Sequence, residues 1–146
     1  MSKFAEIISN LMKQENLTTT DIKRLVGIST AQMGRYMSGY YEPSLINAIK
    51  LSSYFNYSLD FLVGLDNIPN RFGIFKNPDY EKFITRYYEL LKQNKTNHNR
   101  VSRLTKFNRN NLIYWQKNKS IPTLDILCKL AEHLNTSVEY LIGRVD

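Results

Sequence analysis

Apolar residues recur along the chain at helical rather than alternating spacing. Phe4, Ile7, Ile8, Leu11 and Met12 share one face of a predicted opening helix over about residues 3–15. Thr18 and Asp21 have capping-box spacing, in which a hydroxyl accepts a free amide of the first turn and the acid sits at the positive helix end, so a second helix is predicted there. Gly27 suits a left-handed stop, Ser29 caps a third helix through Met37, and Gly39 closes it. Beyond Pro43, residues Leu45, Ala48, Ile49, Ser52 and Phe55 predict a fourth helix, and Ser58 caps a short fifth with Phe61, Leu62 and Val63.

The same order then recurs. Phe4 to Gly64 aligns without a gap on Phe83 to Gly143, 79 positions later. Identical pairs include Phe4/Phe83, Leu11/Leu90, Arg24/Arg103, Leu51/Leu130, Ser58/Ser137 and Gly64/Gly143, and Tyr36/Trp115 keeps its apolar character. Shared apolar spacing over that length predicts shared core geometry. Punctuation is kept by substitution: Asn97 for Thr18, Asn108 for Ser29 and Asn118 for Gly39, with Lys106 at the Gly27 position as the costliest departure. The boundaries expected are a first module over residues 1–66, a linker over 67–79 and a second module over 80–146. Ile68, Phe72, Ile74 and Phe75 in the linker are expected to pack against one or both modules.

Charge separates the two copies. Residues 1–66 carry six Lys/Arg against six Asp/Glu, whereas residues 80–146 carry twelve against six, a net of +6 out of the chain's +7. A polyanion partner is therefore expected to favour the second module. Cys128, the one cysteine, aligns with Ile49 and reads as a core thiol, which fits a reducing compartment. No run of eighteen apolar residues is present, so a soluble, cytoplasmic protein without membrane contact is expected.

The stretch Thr18 to Pro43, TTTDIKRLVGISTAQMGRYMSGYYEP, resembles the helix-turn-helix of the Cro and phage-repressor (Xre-type) family, and the second copy is similar through Trp115, Gln116, Asn118, Lys119 and Pro122. The resemblance implies an all-α fold of two five-helix lambda-repressor-like modules in tandem. It also implies that the third helix of the second module, with that of the first as a further option, enters a major groove of double-stranded DNA, which is wide enough for one helix. With Met33, Tyr36, Leu112 and Trp115 turned inward, the outward positions are Thr30, Ala31, Gln32, Gly34 and Arg35 in the first copy. In the second they are Arg109, Asn110, Asn111, Ile113 and Tyr114. Arg109 suits the two acceptors of guanine, Asn110 or Asn111 suits adenine, and Tyr114 suits a thymine methyl or a hydrogen bond. Each good bidentate pair contributes ~1–3 kcal/mol of discrimination.

Backbone contacts implied by the same resemblance fall to Asn97, His98, Asn99, Lys117 and Lys119. The first copy has Tyr40 in place of the loop lysine and Lys23 where the family commonly has alanine. The expected function is a sequence-specific DNA-binding transcriptional regulator, acting as a repressor by occlusion. The alternative is a protein-binding adaptor of antitoxin or anti-defence type that uses the first module and its Tyr40 and Tyr41 as the interface. A homodimer through that module is a further option. His98 and His133 lie apart from each other and from Cys128, and no metal-ligand spacing, phosphate loop or nucleophile motif is present, so neither enzyme activity nor a cofactor is expected.

Overall fold

A computed structural model describes residues 3–146. Among them are ten helices and no strand, and none of the helices is long and apolar enough to cross a membrane. The chain divides into two units, Met1–Gly73 and Ile74–Asp146.

Unit 1 holds α1 (Phe4–Gln14), α2 (Thr19–Val26), α3 (Thr30–Met37), α4 (Leu45–Phe55) and α5 (Leu59–Leu62). The helix starts follow the local chemistry. Thr18 and Asp21 form the reciprocal box, with the Thr18 amide donating to Asp21 Oδ2 at 2.8 Å and the Asp21 amide donating to Thr18 Oγ1 at 3.2 Å. Ser29, Ser44 and Ser58 each accept an amide of the following first turn. Gly27 ends α2 in the left-handed region at φ 86°. The apolar stripe predicted for α1 packs inward: Phe4, Ile8, Leu11 and Met12 meet Ile22, Ile28, Met33, Tyr36, Leu51 and Leu62 in one core. Each such buried side chain contributes on the order of 1.5–3 kcal/mol of burial energy. Lys23 lies exposed.

Unit 2 holds α6 (Tyr80–Gln93), α7 (His98–Thr105), α8 (Asn111–Asn118), α9 (Leu124–His133) and α10 (Val138–Leu141). Its core is built from Phe83, Tyr87, Leu90, Leu91, Val101, Trp115, Leu127, Leu130 and Leu141. Asn97 and Ser137 cap α7 and α10. Lys106 ends α7 at φ 63°, taking the left-handed turn in spite of its side chain. Gly143 sits at φ 79°, where an added Cβ would lie 2.9 Å from Lys82 Cβ, so the position combines left-handed backbone with a close approach of α6. Arg86 ties α6 to the C-terminal end, donating to the Tyr140 and Val145 carbonyls at 2.6 and 2.8 Å.

The residues expected to form a linker are shared between the units. On unit 1, the Pro69 carbonyl accepts from the Ser58 amide and Arg71 pairs with Asp66, whose carboxyl it holds below its usual range. On unit 2, Lys76 donates its amide to the Arg144 carbonyl, and Phe75 lies under the Arg144 guanidinium at 4.4 Å. Ile68 and Ile74, by contrast with the packing expected of them, are exposed. Cys128 is half-buried rather than fully enclosed.

Two punctuation marks of the second copy differ from expectation. Asn108 caps no helix: its Oδ1 accepts from the Asn110 amide at 2.9 Å and its carbonyl from the Asn111 amide at 3.0 Å, making a tight turn that delays α8. Asn118, expected to be left-handed like Gly39, is the last helical residue, with its Nδ2 donating to the Tyr114 carbonyl, and Lys119 takes the left-handed position at φ 47°. Relative to α3, α8 therefore begins and ends two residues later than the 79-residue offset predicts.

Candidate nucleic-acid interface

In unit 2 the first helix supports the third. Trp115 projects from α8 into the core, edge-on to Phe83 with ring centroids 5.6 Å apart. Tyr36 meets Phe4 in the same way in unit 1, at 5.9 Å. With these anchors inside, the opposite face of each helix is left to solvent. Arg109, Asn110, Tyr114, Lys117 and Lys119 are exposed, as are Asn97 and Asn99, and Asn111 is half-buried. Ile113 and Tyr114 are 66% and 62% exposed, so the outward face of α8 carries apolar as well as polar groups.

Five of the residues singled out from sequence meet in one place. Asn97, His98 and Asn99 at the head of α7 and Arg109 and Asn110 before α8 line an open cleft of about 440 Å³, completed by Leu112 and Ile113. Lys117 and Lys119 stand at the other end of α8, roughly 12 Å away for eight residues at helical rise. Cationic groups thus flank both ends of a solvent-facing helix. In unit 1, Thr30, Arg35 and the helix-capped Gln32 line the corresponding face, where Ser29 Oγ and Gln32 are in mutual contact.

His98 is the exception among the candidates. Instead of a surface contact it is a core residue, 8% exposed, with both ring nitrogens engaged. Nε2 lies 2.8 Å from the Arg109 carbonyl oxygen and Nδ1 lies 2.6 Å from the Tyr87 hydroxyl. A carbonyl only accepts, so Nε2 carries the proton and Nδ1 accepts from Tyr87. Burial lowers the His98 pKa, against a smaller opposing effect of the Arg109 carbonyl, and favours that neutral form. Burial also pushes the Tyr87 hydroxyl well above the usual phenol range, keeping it a donor.

Sequence reasoning missed Tyr87 and Phe107 as partners of this site. A signal was present in the repeat. Where the second copy has Tyr87, His98 and Phe107, the first has Ile8, Thr19 and Ile28, a concerted exchange of one cluster for another.

Comparison with known proteins bears on unit 1. Residues 8–62 match the Helix-turn-helix family model. The match runs from within α1 to the end of α5. Among solved structures, the chain is similar to the crystal structure of a transcriptional regulator from Listeria innocua, with 26% identity, a TM-score of 0.42, and coverage of 71% of this chain and 87% of that one. No curated protein matches the chain.

Proposed function

We propose that the protein is a sequence-specific double-stranded DNA-binding regulator of transcription, acting as a repressor by occlusion. It is built as two helix-turn-helix modules over residues 1–66 and 80–146. The head of α8 enters the major groove, Arg109 and Asn110 read base edges, Tyr114 touches a thymine methyl, and Asn97, Asn99, Lys117 and Lys119 hold phosphates. The observation that carries the reading is the solvent-facing α8 in the strongly basic half, with its candidate base-reading and phosphate-holding groups gathered at its two ends. The family match over residues 8–62 supports the same class of activity for the first half. There Thr30, Gln32 and Arg35 supply a weaker reading head without a loop lysine.

Selection of bound sites from random duplex DNA, followed by titration at several salt concentrations, tests the proposal. Arg109→Ala with Asn110→Ala is expected to abolish preference for the selected site. Lys119→Ala is expected to weaken binding to all duplexes alike and to reduce the salt slope by ~1. Unchanged affinity of the doublet for its selected site would overturn the assignment of the reading head.

A second reading is favoured by one observation. Tyr40 and Tyr41 on the neutral module are 85% and 59% exposed where the aligned residues are Lys119 and Ser120. Exposed amphipathic aromatics suit a protein interface, for a second copy or an unlike partner. Loss of self-association or partner binding in Tyr40→Ala/Tyr41→Ala, with DNA affinity of the α8 head intact, would assign that role to the first module.

A further inference from the structure

Arg109 stands outside α8, in the turn that leads into it. In unit 1 the aligned residue, Thr30, is the first residue of α3, so its orientation is fixed by the helix that Ser29 caps. In unit 2 the segment from Asn108 to Asn110 precedes α8 and must be held by other means. Asn108 holds the amides of Asn110 and Asn111. The carbonyl of Arg109 is held from the side by His98, across the turn between α7 and α8.

His98 is itself rigidly seated. Its ring stands edge-on to Tyr87 and Trp115 at 5.8 Å from each and lies 5.9 Å from Phe107, and the Tyr87 hydroxyl fixes which nitrogen faces Arg109. The chain of contacts runs from α6 through α7 to the backbone of the candidate guanine-reading arginine. In unit 1 the aligned residues Ile8 and Thr19 offer no ring to make it. A misplacement of the Arg109 backbone displaces a long side chain whose bidentate fit to a base depends on orientation.

We propose that His98 is a positioning residue for base reading: pinned by Tyr87, it fixes the Arg109 carbonyl and thereby aims the Arg109 side chain, without contacting DNA itself. The inference rests on the DNA-binding reading above. It predicts an effect on discrimination between sequences that exceeds the effect on general affinity. A phosphate contact by His98 would produce the reverse.

The test uses the full chain, a duplex carrying the selected site and a duplex of scrambled sequence, with each variant checked for a cooperative thermal melt. His98→Leu is expected to lower the ratio of the two affinities roughly tenfold, the scale of one lost bidentate base contact, with little change on the scrambled duplex. His98→Gln, which places an amide donor near the Nε2 position, is expected to retain most of the ratio. His98→Asn, which keeps an acceptor near Nδ1 but cannot reach the carbonyl, is expected to lose it. In an Arg109→Ala background, His98→Leu should cause no further loss. Equal losses on both duplexes, which leave the ratio unchanged in His98→Leu, would identify a contact to the DNA backbone and overturn the proposal. Should His98→Leu fail to fold, the Gln and Asn pair decides by the same ratio. A wild-type chain that binds no duplex would instead sink the DNA reading itself, and this inference with it.

Discussion

Trp115 stands edge-on to Phe83 at an interplanar angle of 80°, and this contact fastens the candidate reading helix to the first helix of unit 2. The indole also meets Tyr87, His98 and Phe107, so one side chain joins α6, the head of α7 and the turn before α8. Trp115→Ala is expected to destabilise unit 2 by about 3–5 kcal/mol, the range for removing a large buried aromatic. Denaturant unfolding followed by circular dichroism measures it. A loss under 1 kcal/mol would show that the cluster is dispensable.

Aligned positions at the ends of α2 and α7 predict opposite signs. Gly27 and Lys106 both occupy the left-handed region. Lys106→Gly should stabilise by about 1 kcal/mol by relieving the Cβ penalty, and Gly27→Ala should destabilise by a similar amount. No atom lies within 4 Å of a Cβ built on Gly27, so the effect there is backbone strain alone. Thermal melts of the two variants check both signs.

Burial of His98 makes stability depend on pH. Its folded pKa lies below its ordinary value, so the unfolded chain binds the extra proton first as pH falls. The stabilising contribution is therefore full above about pH 6.5 and is lost as pH falls through the lower folded value. The ring faces the Tyr87 hydroxyl, the Arg109 carbonyl and the Phe107 and Trp115 rings, with no acid among these contacts to favour the charged form. Melting temperature of the wild type should rise between about pH 5 and 7, and that rise should shrink in His98→Gln. An identical pH dependence in both proteins would contradict the assignment.

A buried ion pair closes the C-terminal end of unit 2. Arg144 Nη1 and Glu139 Oε1 are 3.3 Å apart, with side chains 1% and 0% exposed. Removing one charge leaves the other buried, so Glu139→Leu or Arg144→Met alone should cost about 3–5 kcal/mol, while the double replacement should recover most of that loss. A double-mutant cycle in denaturant measures the coupling, and additive losses would refute it.

Helix order, the inward faces and most caps were legible because each rests on short-range chemistry. Thr18 with Asp21, Ser29, Ser58, Asn97 and Ser137 all act where their spacing predicts. The late start of α8 was not legible, since the Asn108 side chain can serve a helix cap or a tight turn with the same apolar pattern on either side. The outward placement of Tyr114 followed from the inward placement of Trp115, whereas Arg109 and Asn110 face solvent from the turn before α8, where helical spacing does not apply. His98 misled because a polar residue at a helix head ordinarily faces water. Its burial depends on Tyr87, eleven residues away on another helix.

The slid boundaries of α8 bear on any attempt to reprogramme what the protein binds. Transplanting Thr30, Ala31 and Gln32 onto positions 109 to 111 would move side chains from a regular helix onto an irregular corner, and their directions would not travel with them. A working graft has to carry the Ser29 cap in place of Asn108 and the Ile8 and Thr19 pair in place of Tyr87 and His98. The unit of exchange is the supported corner, not the run of letters that touches the target.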